Sequence, residues 1–337
     1  RIMDKIMLSH GSGRGLQNLL QTVILPSLIG DQDDVLEDAA VLTWNQNSPV
    51  VFTTDSFVVK PLAFPGGDIG KLAACGTIND LAMMGATPLF ISVALIIEEG
   101  MPVKELKTYL NSLRTVCQNQ NVSIACGDTK VIEQKNGDGL FITTSGIGYL
   151  QQSCQRLSAG KAMEGDAVIV SGPIGLHGIA ILAQRENLSF ASKVVSDCAP
   201  LVQLSKSVLS ASSSVRVMRD ATRGGCAAVL NEIATSSHVT IILEQSLVPV
   251  PEVVRCACEI LGMDPLNIAN EGTFIAIVPE YDCQKVLESL HSLPEGRNAC
   301  RIGHVVKQQR FPVQLITEIG GMRAVEVPPG QLLPRIC

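Results

Sequence analysis

Short apolar segments typical of strands alternate with segments typical of helices along the whole chain, and this alternation limits the fold more than any other feature. Residues 50–55 (VVFTTD) and residues 88–97 (PLFISVALII) predict strands, because they are rich in β-branched or buried apolar side chains. Residues 69–84 predict a helix, and Pro102 opens another with apolar residues at helical spacing. Two more strands are predicted in VSIACGDT and LFITTSGIGYL. The first part of the chain therefore combines strands and helices around one core.

The same alternation starts again after residue 150. A strand at residues 167–171 leads into a turn that contains Gly172, Pro173 and Gly175, and then into a helix. Further helices are predicted near residues 201–209, 225–235 and 252–261, and further strands near residue 241 and at residues 274–278 and 299–306. Periodicity alone thus predicts mixed helices and strands in two domains. We divide the chain into a glycine-rich N-terminal segment, an N-terminal domain, a C-terminal domain and a tail: residues 1–34, 35–150, 151–325 and 326–337.

Charge and hydropathy exclude several classes of partner. The chain has 337 residues, of which 46% are hydrophobic, and a net charge of −6, which argues against nucleic acid or an anionic membrane as the main partner. The longest apolar run, residues 88–97, is about half of the ~20 residues that a membrane span needs. The first residues, RIMDKIMLSHGSGRG, have no long apolar core and no cleavage site, so we expect no secretory signal and a cytoplasmic protein.

Eleven cysteines are irregularly spaced and include no Cys-x-x-Cys pair. Zinc sites and disulfide frameworks usually show regular spacing or an even count. In a reducing cytosol we therefore expect most of the internal cysteines to be small buried apolar residues. Cys256 and Cys258 lie close enough in sequence to chelate a metal, but the core interpretation is favoured for them as well.

Five aspartates follow apolar or turn-rich segments. They are Asp38, Asp55, Asp80, Asp128 and Asp220. Each alone is typical of a helix cap or a turn residue. Gathered in space, however, they would repel one another unless a cation neutralised them. Carboxylate oxygens suit Mg²⁺, which bridges a few carboxylates to nucleotide phosphates, so an acidic chain of this kind is able to hold ATP through Mg²⁺.

The order of these segments resembles a known superfamily. LEDAAVL, TTDSF, NDLAMMGATP, GDT and DATRGG resemble the ATP-binding superfamily shared by aminoimidazole ribonucleotide synthetase, selenophosphate synthetase and thiamine-monophosphate kinase. Within it, the segments HGSG, FPGGDIGKLAACGTINDLAMMGA, CGDTKV, VSDCAPL, NEGT and the terminal PRIC are most similar to the HypE family of hydrogenase-maturation carbamoyl dehydratases. They run from His10 to Cys337, so the resemblance covers nearly the whole chain.

The resemblance implies a fold and a reaction. The fold is an α+β, two-domain architecture like that of aminoimidazole ribonucleotide synthetase, in which the N-terminal sheet closes a β-barrel with that of a second subunit in a homodimer, and the C-terminal tail is mobile. A carbamoyltransferase, HypF, places a carbamoyl group on the C-terminal thiol. The family enzyme then dehydrates this group with ATP to a thiocyanate, and the cyanide passes to the iron of a nascent [NiFe] hydrogenase on the HypC–HypD scaffold.

Residue roles follow from the same resemblance. The five aspartates are expected to hold Mg²⁺ and ATP. Lys130, two residues after Asp128, is expected to stabilise charge on the transferring phosphoryl group, and Glu271, with His177 behind it, to act as the base. His10 is expected to help a glycine-rich lid close over ATP. Without the resemblance, Lys130 is typical of a surface lysine, Glu271 of a turn residue and His10 of a disordered N-terminus.

The last residue, Cys337, is expected to carry the substrate. Pro328, Pro329 and Pro334 forbid a helix in the tail, and residues 326–337 would reach ~35–40 Å if fully extended. One alternative is an ATP-dependent synthetase or kinase of the same superfamily that acts on a free small molecule. Another is a non-enzymatic scaffold whose terminal thiol forms a disulfide or binds a metal, and which would show no ATP turnover.

Overall fold

The computed structural model describes residues 4–30, 39–40, 42–43, 47–150, 156–188, 193–328 and 336. The chain divides into two compact units, an N-terminal unit (Arg1–Leu81 and Ala86–Gln151) and a C-terminal unit (Ala82–Gly85 and Gln152–Ile336). Among the described residues, no helix has both the length and the apolar character needed to cross a membrane.

The described part of the N-terminal unit contains four α-helices and six strands. In chain order they are α1 (Gly13–Leu19), α2 (Leu25–Leu28), β1 (Val50–Phe57), β2 (Ala63–Phe64), β3 (Gly67–Asp68), α3 (Ile69–Met83, whose last residues belong to the other unit), β4 (Thr87–Glu98), α4 (Val103–Asn119), β5 (Ser123–Ile132) and β6 (Leu140–Tyr149). Four of these strands form a sheet in the order β1-β6-β4-β5, in which β4 and β5 are parallel and the other pairs are antiparallel. The two-residue strands β2 and β3 pair with each other.

Among the residues that the structure describes, the helices of this unit cover one face of the sheet. Along β6, buried residues alternate with partly exposed ones, as expected for a strand with one packed face. On the packed side, Gly146 lies against Thr77 and Leu81 of α3. Helix α4 begins after Pro102 and buries Leu106, Leu110 and other residues at helical spacing, as the sequence predicts. The opposite face, which we call the open face, exposes Phe52 and Ile96, with 65% and 40% of their surface accessible.

The C-terminal unit is built around a larger sheet. Its elements are β7 (Asp166–Val170), α5 (Leu176–Arg185), α6 (Val202–Ala211), β8 (Val217–Asp220), α7 (Gly225–Ser237), β9 (Val239–Glu244), α8 (Glu252–Leu261), β10 (Phe274–Pro279), α9 (Glu280–His291), β11 (Cys300–Lys307), β12 (Val313–Ile316) and β13 (Met322–Ala324). The described strands pair in the order β13-β12-β9-β11-β7-β10-β8. Strands β7 and β10 are buried along their whole length, since α7 and α9 both pack on the sheet and β7 and β10 lie inside it. This burial explains why the two strands are apolar along nearly their whole length.

The predicted burial of the cysteines is only partly right. Cys75, Cys117, Cys198, Cys226, Cys258 and Cys283 are buried. Cys126 and Cys256 are exposed, and Cys300 is partly so. Cys126 lies on the edge strand β5, and Cys256 faces outward from α8 while Cys258, two residues later, faces the core. The core interpretation was therefore wrong for Cys126 and Cys256. Cys154 and Cys337 lie outside the described residues.

Candidate functional site

Asp55 and Asp80 lie on the helix-covered side of the N-terminal sheet. Asp55 is inside β1 and pairs with Thr144 of β6, whose side chain points toward α3. Asp80 lies within α3 and not at its cap, and its Oδ2 accepts a hydrogen bond of 2.8 Å from the hydroxyl of Thr53. Because Thr53 and Asp55 are two residues apart on one strand, they share a face. The structure thus brings Asp55 and Asp80 to the same side of β1.

Asp128 and Lys130 lie on the open face of the same sheet. Asp128 on β5 pairs with Ala94 on β4, and Ala94 in turn pairs with Thr143 on β6, so the three side chains lie on one face. On this face the hydroxyls of Thr143 and Ser56 contact each other at 2.9 Å. The Lys130 ammonium lies 2.9 Å from the Asp128 carboxylate, and both side chains are exposed. The hydrogen bond from Lys130, followed by the one from the Thr129 N–H, lowers the pKa of Asp128. The Asp128 carboxylate is therefore ionised, and its oxygens are suitable ligands for a cation.

The residue before Asp128 explains how β5 approaches β4. A Cβ at Gly127 would lie 2.3 Å from the carbonyl oxygen of Val93, so only glycine allows these two backbones to come this close. The sequence predicted a strand, VSIACGDT, that ends at Thr129, and this end is wrong. Strand β5 continues to Ile132 because its pairing with β4 continues, and Asp128 therefore projects from the middle of an edge strand.

The five predicted aspartates do not form one cluster within a single unit. Asp55 and Asp128 lie on opposite faces of the N-terminal sheet, Asp220 belongs to the C-terminal unit, and Asp38 lies outside the described residues. Among the described residues, no three His, Cys, Asp or Glu side chains are grouped so as to hold a metal ion. The described part of one chain thus offers carboxylates singly or in pairs.

His10 lies near the strand that carries Asp128. It sits in a single 3₁₀ turn (Leu8–Gly11) that packs against β5, where Gly11 contacts Val131. The Nδ1 atom of His10 accepts the backbone N–H of Met7 at 3.1 Å, which orients the ring. His10 is part of an ordered turn, so the alternative of a disordered N-terminus is wrong for this residue.

A cavity of about 710 Å³ opens beside β5 on the side of α4. Its lining is mostly apolar and includes residues from α1, α2 and α4 as well as β5: Leu16, Leu25, Leu28, Arg114, Cys117 and Gly127. Both its size and its composition are those of a small-molecule site.

In the C-terminal unit, three predicted site residues lie at one end of the sheet. Strands β7 and β8 both end where the antiparallel strand β10 begins, since Val170 pairs with Ile275 and Asp220 pairs with Phe274. The loop before β10 carries Glu271, which is 3% exposed. Helix α5, which carries His177, starts just beyond the end of β7. The topology therefore gathers residues that are far apart in sequence.

Asp197, a residue without a predicted role, fixes the loop that carries Glu271. Its carboxylate accepts hydrogen bonds from the N–H groups of Glu271 and Gly272, at 3.1 and 3.0 Å, and from the hydroxyl of Thr273 at 3.1 Å. A carboxylate that accepts several backbone N–H groups holds a loop rigidly. The segment VSDCAPL, which contains Asp197, was already part of the family resemblance. This segment was the signal in the sequence that pointed to Asp197.

His177 is fully buried, and both of its ring nitrogens are engaged. Nδ1 lies 2.8 Å from the hydroxyl of Ser196, and Nε2 lies 2.9 Å from the carbonyl oxygen of Ile336. Burial lowers the pKa of His177, while the negative charge of Asp197 and the Ile336 carbonyl oppose this shift. The ring is thus neutral and bound at both ends, so this conformation does not present His177 as the base that the sequence suggested.

Ile336 is buried against the C-terminal unit, with 6% of its surface exposed. This residue immediately precedes Cys337, which lies outside the described residues. The residue before the predicted substrate-carrying thiol is thus docked in the unit that also holds Glu271 and Asp220.

Comparison with known proteins identifies the family. The N-terminal domain of the AIR synthase related proteins matches residues 36–150, and their C-terminal domain matches residues 163–316. The carbamoyl dehydratase HypE of Cupriavidus necator is 43% identical over 99% of this chain and 95% of its own length. The chain belongs to the HypE family. HypE of Escherichia coli is 40% identical over 99% of this chain and 100% of its own length.

Solved structures of HypE share the fold. The crystal structure of HypE in complex with ATP matches with a TM-score of 0.92 and 39% identity, and covers 98% of this chain and 100% of that one. The HypE–HypF complex matches with a TM-score of 0.80 and 44% identity, over 87% of this chain and 93% of that one. The expected two-domain fold of the aminoimidazole ribonucleotide synthetase type and the membership of the HypE family are confirmed.

Proposed function

We propose that this chain is the carbamoyl dehydratase that its family name denotes, and that it acts with ATP on an S-carbamoyl group carried by its own Cys337. The observation that carries this proposal is the burial of Ile336, whose carbonyl oxygen contacts His177. The residue next to the reactive thiol is thereby held in the unit of Glu271 and Asp220. A non-enzymatic scaffold would have no need to hold the residue before this thiol in this place.

The chemistry requires that a poor leaving group be activated. The oxygen of a carbamoyl group leaves poorly, but phosphorylation by the γ-phosphate of ATP converts it into a phosphate ester and releases ADP. Loss of inorganic phosphate then breaks the C–O bond. The nitrogen gives up its two protons and forms the C≡N bond of the S-thiocyanate, and the sulfur stays attached throughout. The protein therefore has to position the two substrates, neutralise charge and accept protons.

The aspartates are the groups that would bind ATP and Mg²⁺. Asp55 and Asp80 share the helix-covered side of β1, and the ionised, exposed Asp128 lies on the open face, so the oxygen donors that Mg²⁺ prefers are present on both faces of the sheet. We assign Asp38 and Asp220 to the same task. When bound, Mg²⁺ would neutralise negative charge on the phosphate oxygens. The apolar cavity beside β5 offers room for the nucleoside.

Lys130 and Glu271 carry the remaining steps. The exposed Lys130 ammonium, paired to Asp128 on the open face, would stabilise charge on the transferring phosphoryl group. Glu271 is assigned as the base, because its side chain is buried within the loop that Asp197 fixes. His10, held in the turn against β5, closes the N-terminal segment over ATP.

Three partners belong to the proposal. The solved complex of HypE with HypF supports a HypF-type carbamoyltransferase as the source of the carbamoyl group. The HypC–HypD iron scaffold would receive the cyanide. A second copy of this chain would cover the part of the open face around Phe52, because a large apolar side chain that is 65% exposed on a sheet face marks an interface. We place the reaction in the cytoplasm, where a free terminal thiol stays reduced.

The test is intact-mass spectrometry in two stages. The full chain is first carbamoylated with the carbamoyltransferase, carbamoyl phosphate and a limiting amount of ATP, so that this step uses up the ATP before dehydration, and is then freed of nucleotide and partner by gel filtration. Addition of ATP should remove one water's mass from the adduct, whereas the β,γ-methylene analogue of ATP should leave the adduct unchanged. An adduct that is equally stable with and without ATP would refute the proposal.

Two variants locate the modified thiol. Cys337→Ala should form no adduct, whereas Cys256→Ala, which removes an exposed thiol on α8, should form it in full and dehydrate it normally. Formation of the adduct on the Cys337→Ala variant would place the chemistry elsewhere.

A further inference from the structure

The contact between His177 and Ile336 has a defined direction. The Ile336 carbonyl can only accept, so Nε2 of His177 must carry the proton across the 2.9 Å separation. The Ser196 hydroxyl oxygen accepts the N–H of Cys198 at 3.0 Å, and its own proton points to Nδ1 at 2.8 Å. The hydrogen bonds thus run from Ser196 through the ring to Ile336, and they select the Nε2–H tautomer.

This contact is costly to lose. His177 is 0% exposed and Ser196 is 8% exposed, so the hydrogen bond from Nε2 to the Ile336 carbonyl is shielded from water, where such a bond is electrostatically stronger. The side chain of Ile336 is itself buried. Chain ends are generally poorly ordered unless a specific contact holds them. Here one polar and one apolar contact hold the same residue.

We propose that His177 is a positioning residue that seats Ile336 by binding its carbonyl, and so holds the residue next to Cys337 in the unit that carries Glu271 and Asp220. This proposal rests on the proposed function, because Cys337 is the substrate carrier. A shift of the tail by one residue would place the carbonyl of Arg335 or Cys337 at Nε2 and would move the thiol by ~3.3–3.6 Å. Such a displacement is large for a reaction that needs aligned groups.

The test compares His177→Gln with His177→Leu in the full, carbamoylated chain. Glutamine keeps an N–H donor, whereas leucine fills a similar volume without one. We expect His177→Leu to lower the kcat of ATP-dependent water loss about tenfold with an unchanged KM for ATP, which is the factor that one buried neutral hydrogen bond supplies. His177→Gln should restore most of the rate. Equal kcat values for the wild type and the leucine variant, or an equal loss in both variants, would overturn the proposal.

Carboxypeptidase digestion of the unmodified chain tests docking without the reaction. Release of Cys337 and Ile336 should be about tenfold faster from His177→Leu than from the wild type. Equal release would refute the docking role. Absence of ATP-dependent water loss in the wild type would refute the proposed function, while the digestion would still decide the role of His177. The two failures are therefore distinguishable.

A measurement on the unaltered ring decides the matter should His177→Leu fail to fold. The ¹⁵N NMR shifts of His177 should show the Nε2–H tautomer, and exchange of this proton with water should accelerate in Ile336→Gly. A ring protonated on Nδ1 alone, or exchange that Ile336→Gly leaves unchanged, would overturn the proposal.

Discussion

The Thr53 hydroxyl on β1 donates a hydrogen bond of 2.8 Å to Oδ2 of Asp80 on α3. This bond ties a helix carboxylate to the strand that also carries Asp55. Thr53→Val preserves the shape but removes the donor, so we expect the kcat of dehydration to fall about five- to tenfold, and the free energy of unfolding to fall by about 1 kcal/mol. Thr53→Ser should behave as the wild type in both assays.

Asp80 itself supplies the stronger test of the carboxylate assignment. Asp80→Ala should still accept the carbamoyl group at Cys337, because that step takes place on the thiol, but it should not lose water when ATP is added. Intact-mass spectrometry follows both steps on one sample. Normal water loss in Asp80→Ala would contradict the assignment of this carboxylate to ATP and Mg²⁺.

Lys130 separates catalysis from stability. Its ion pair with Asp128 is exposed, so Lys130→Met should change the free energy of unfolding by less than about 1 kcal/mol. The rate of ATP-dependent water loss should nevertheless fall by about a hundredfold or more, as when a donor to transition-state charge is removed. Urea unfolding and rapid-quench mass spectrometry measure the two quantities. If Lys130→Met lowered the free energy of unfolding by much more than about 1 kcal/mol, the slower reaction would point to a structural role instead.

Most helices and strands could be predicted because the pattern of their buried apolar residues is visible within each element's own sequence. Helix α8 has the predicted bounds, since its apolar face recurs at helical spacing. Helix α9 also buries three residues, Cys283, Val286 and Leu290, but it was not predicted, because polar residues dominate its sequence, EYDCQKVLESLH, and mask the apolar pattern. Propensity and periodicity detect an element only where enough of it faces the core.

The site was predicted less completely, since its contacts join distant residues. The motif around Asp128 favoured a strand end, but pairing with β4 carries β5 onward to Ile132. His177 and Ile336 are separated by 159 positions, and periodicity carries no information about such a contact. The role of Asp197 could not be predicted for the same reason, because its partners lie more than seventy residues further along the chain.

Burial of His177 predicts a pH-dependent stability. Its folded pKa lies below the ordinary value of 6.5, so below that pH the unfolded chain binds a proton that the folded chain refuses. The contribution of His177 is therefore fully present above about pH 6.5 and declines as the pH falls. The stability advantage of the wild type over His177→Gln, taken from urea midpoints, should shrink between about pH 8 and pH 5.5. An advantage that grows in that interval would have the wrong sign.

The open face predicts an association that one substitution can break. Phe52→Asp places a charge where we propose that a second copy packs, so this variant should be monomeric at concentrations where the wild type is dimeric. Ile319→Asp is the matched control, because Ile319 is 95% exposed and belongs to the C-terminal unit. Light scattering after size-exclusion chromatography gives both masses. A monomeric wild type, or a dimer that survives Phe52→Asp, would contradict the proposed interface.

The loop of Glu271 allows a steric test with a control from the same region. A Cβ at Gly272 would lie 1.8 Å from the carbonyl oxygen of Asp197 and 3.3 Å from the backbone nitrogen of Ala199. Neither atom can move without displacing the segment that holds the loop, so Gly272→Ala should lower the free energy of unfolding by about 1–3 kcal/mol. A Cβ at Gly172 would meet nothing closer than Thr273 Oγ1 at 3.8 Å, which is ordinary contact, so Gly172→Ala should cost less than about 1 kcal/mol. Urea unfolding of the two variants compares them directly, and equal losses would show that the approach of Asp197 to the loop is looser than the structure has it.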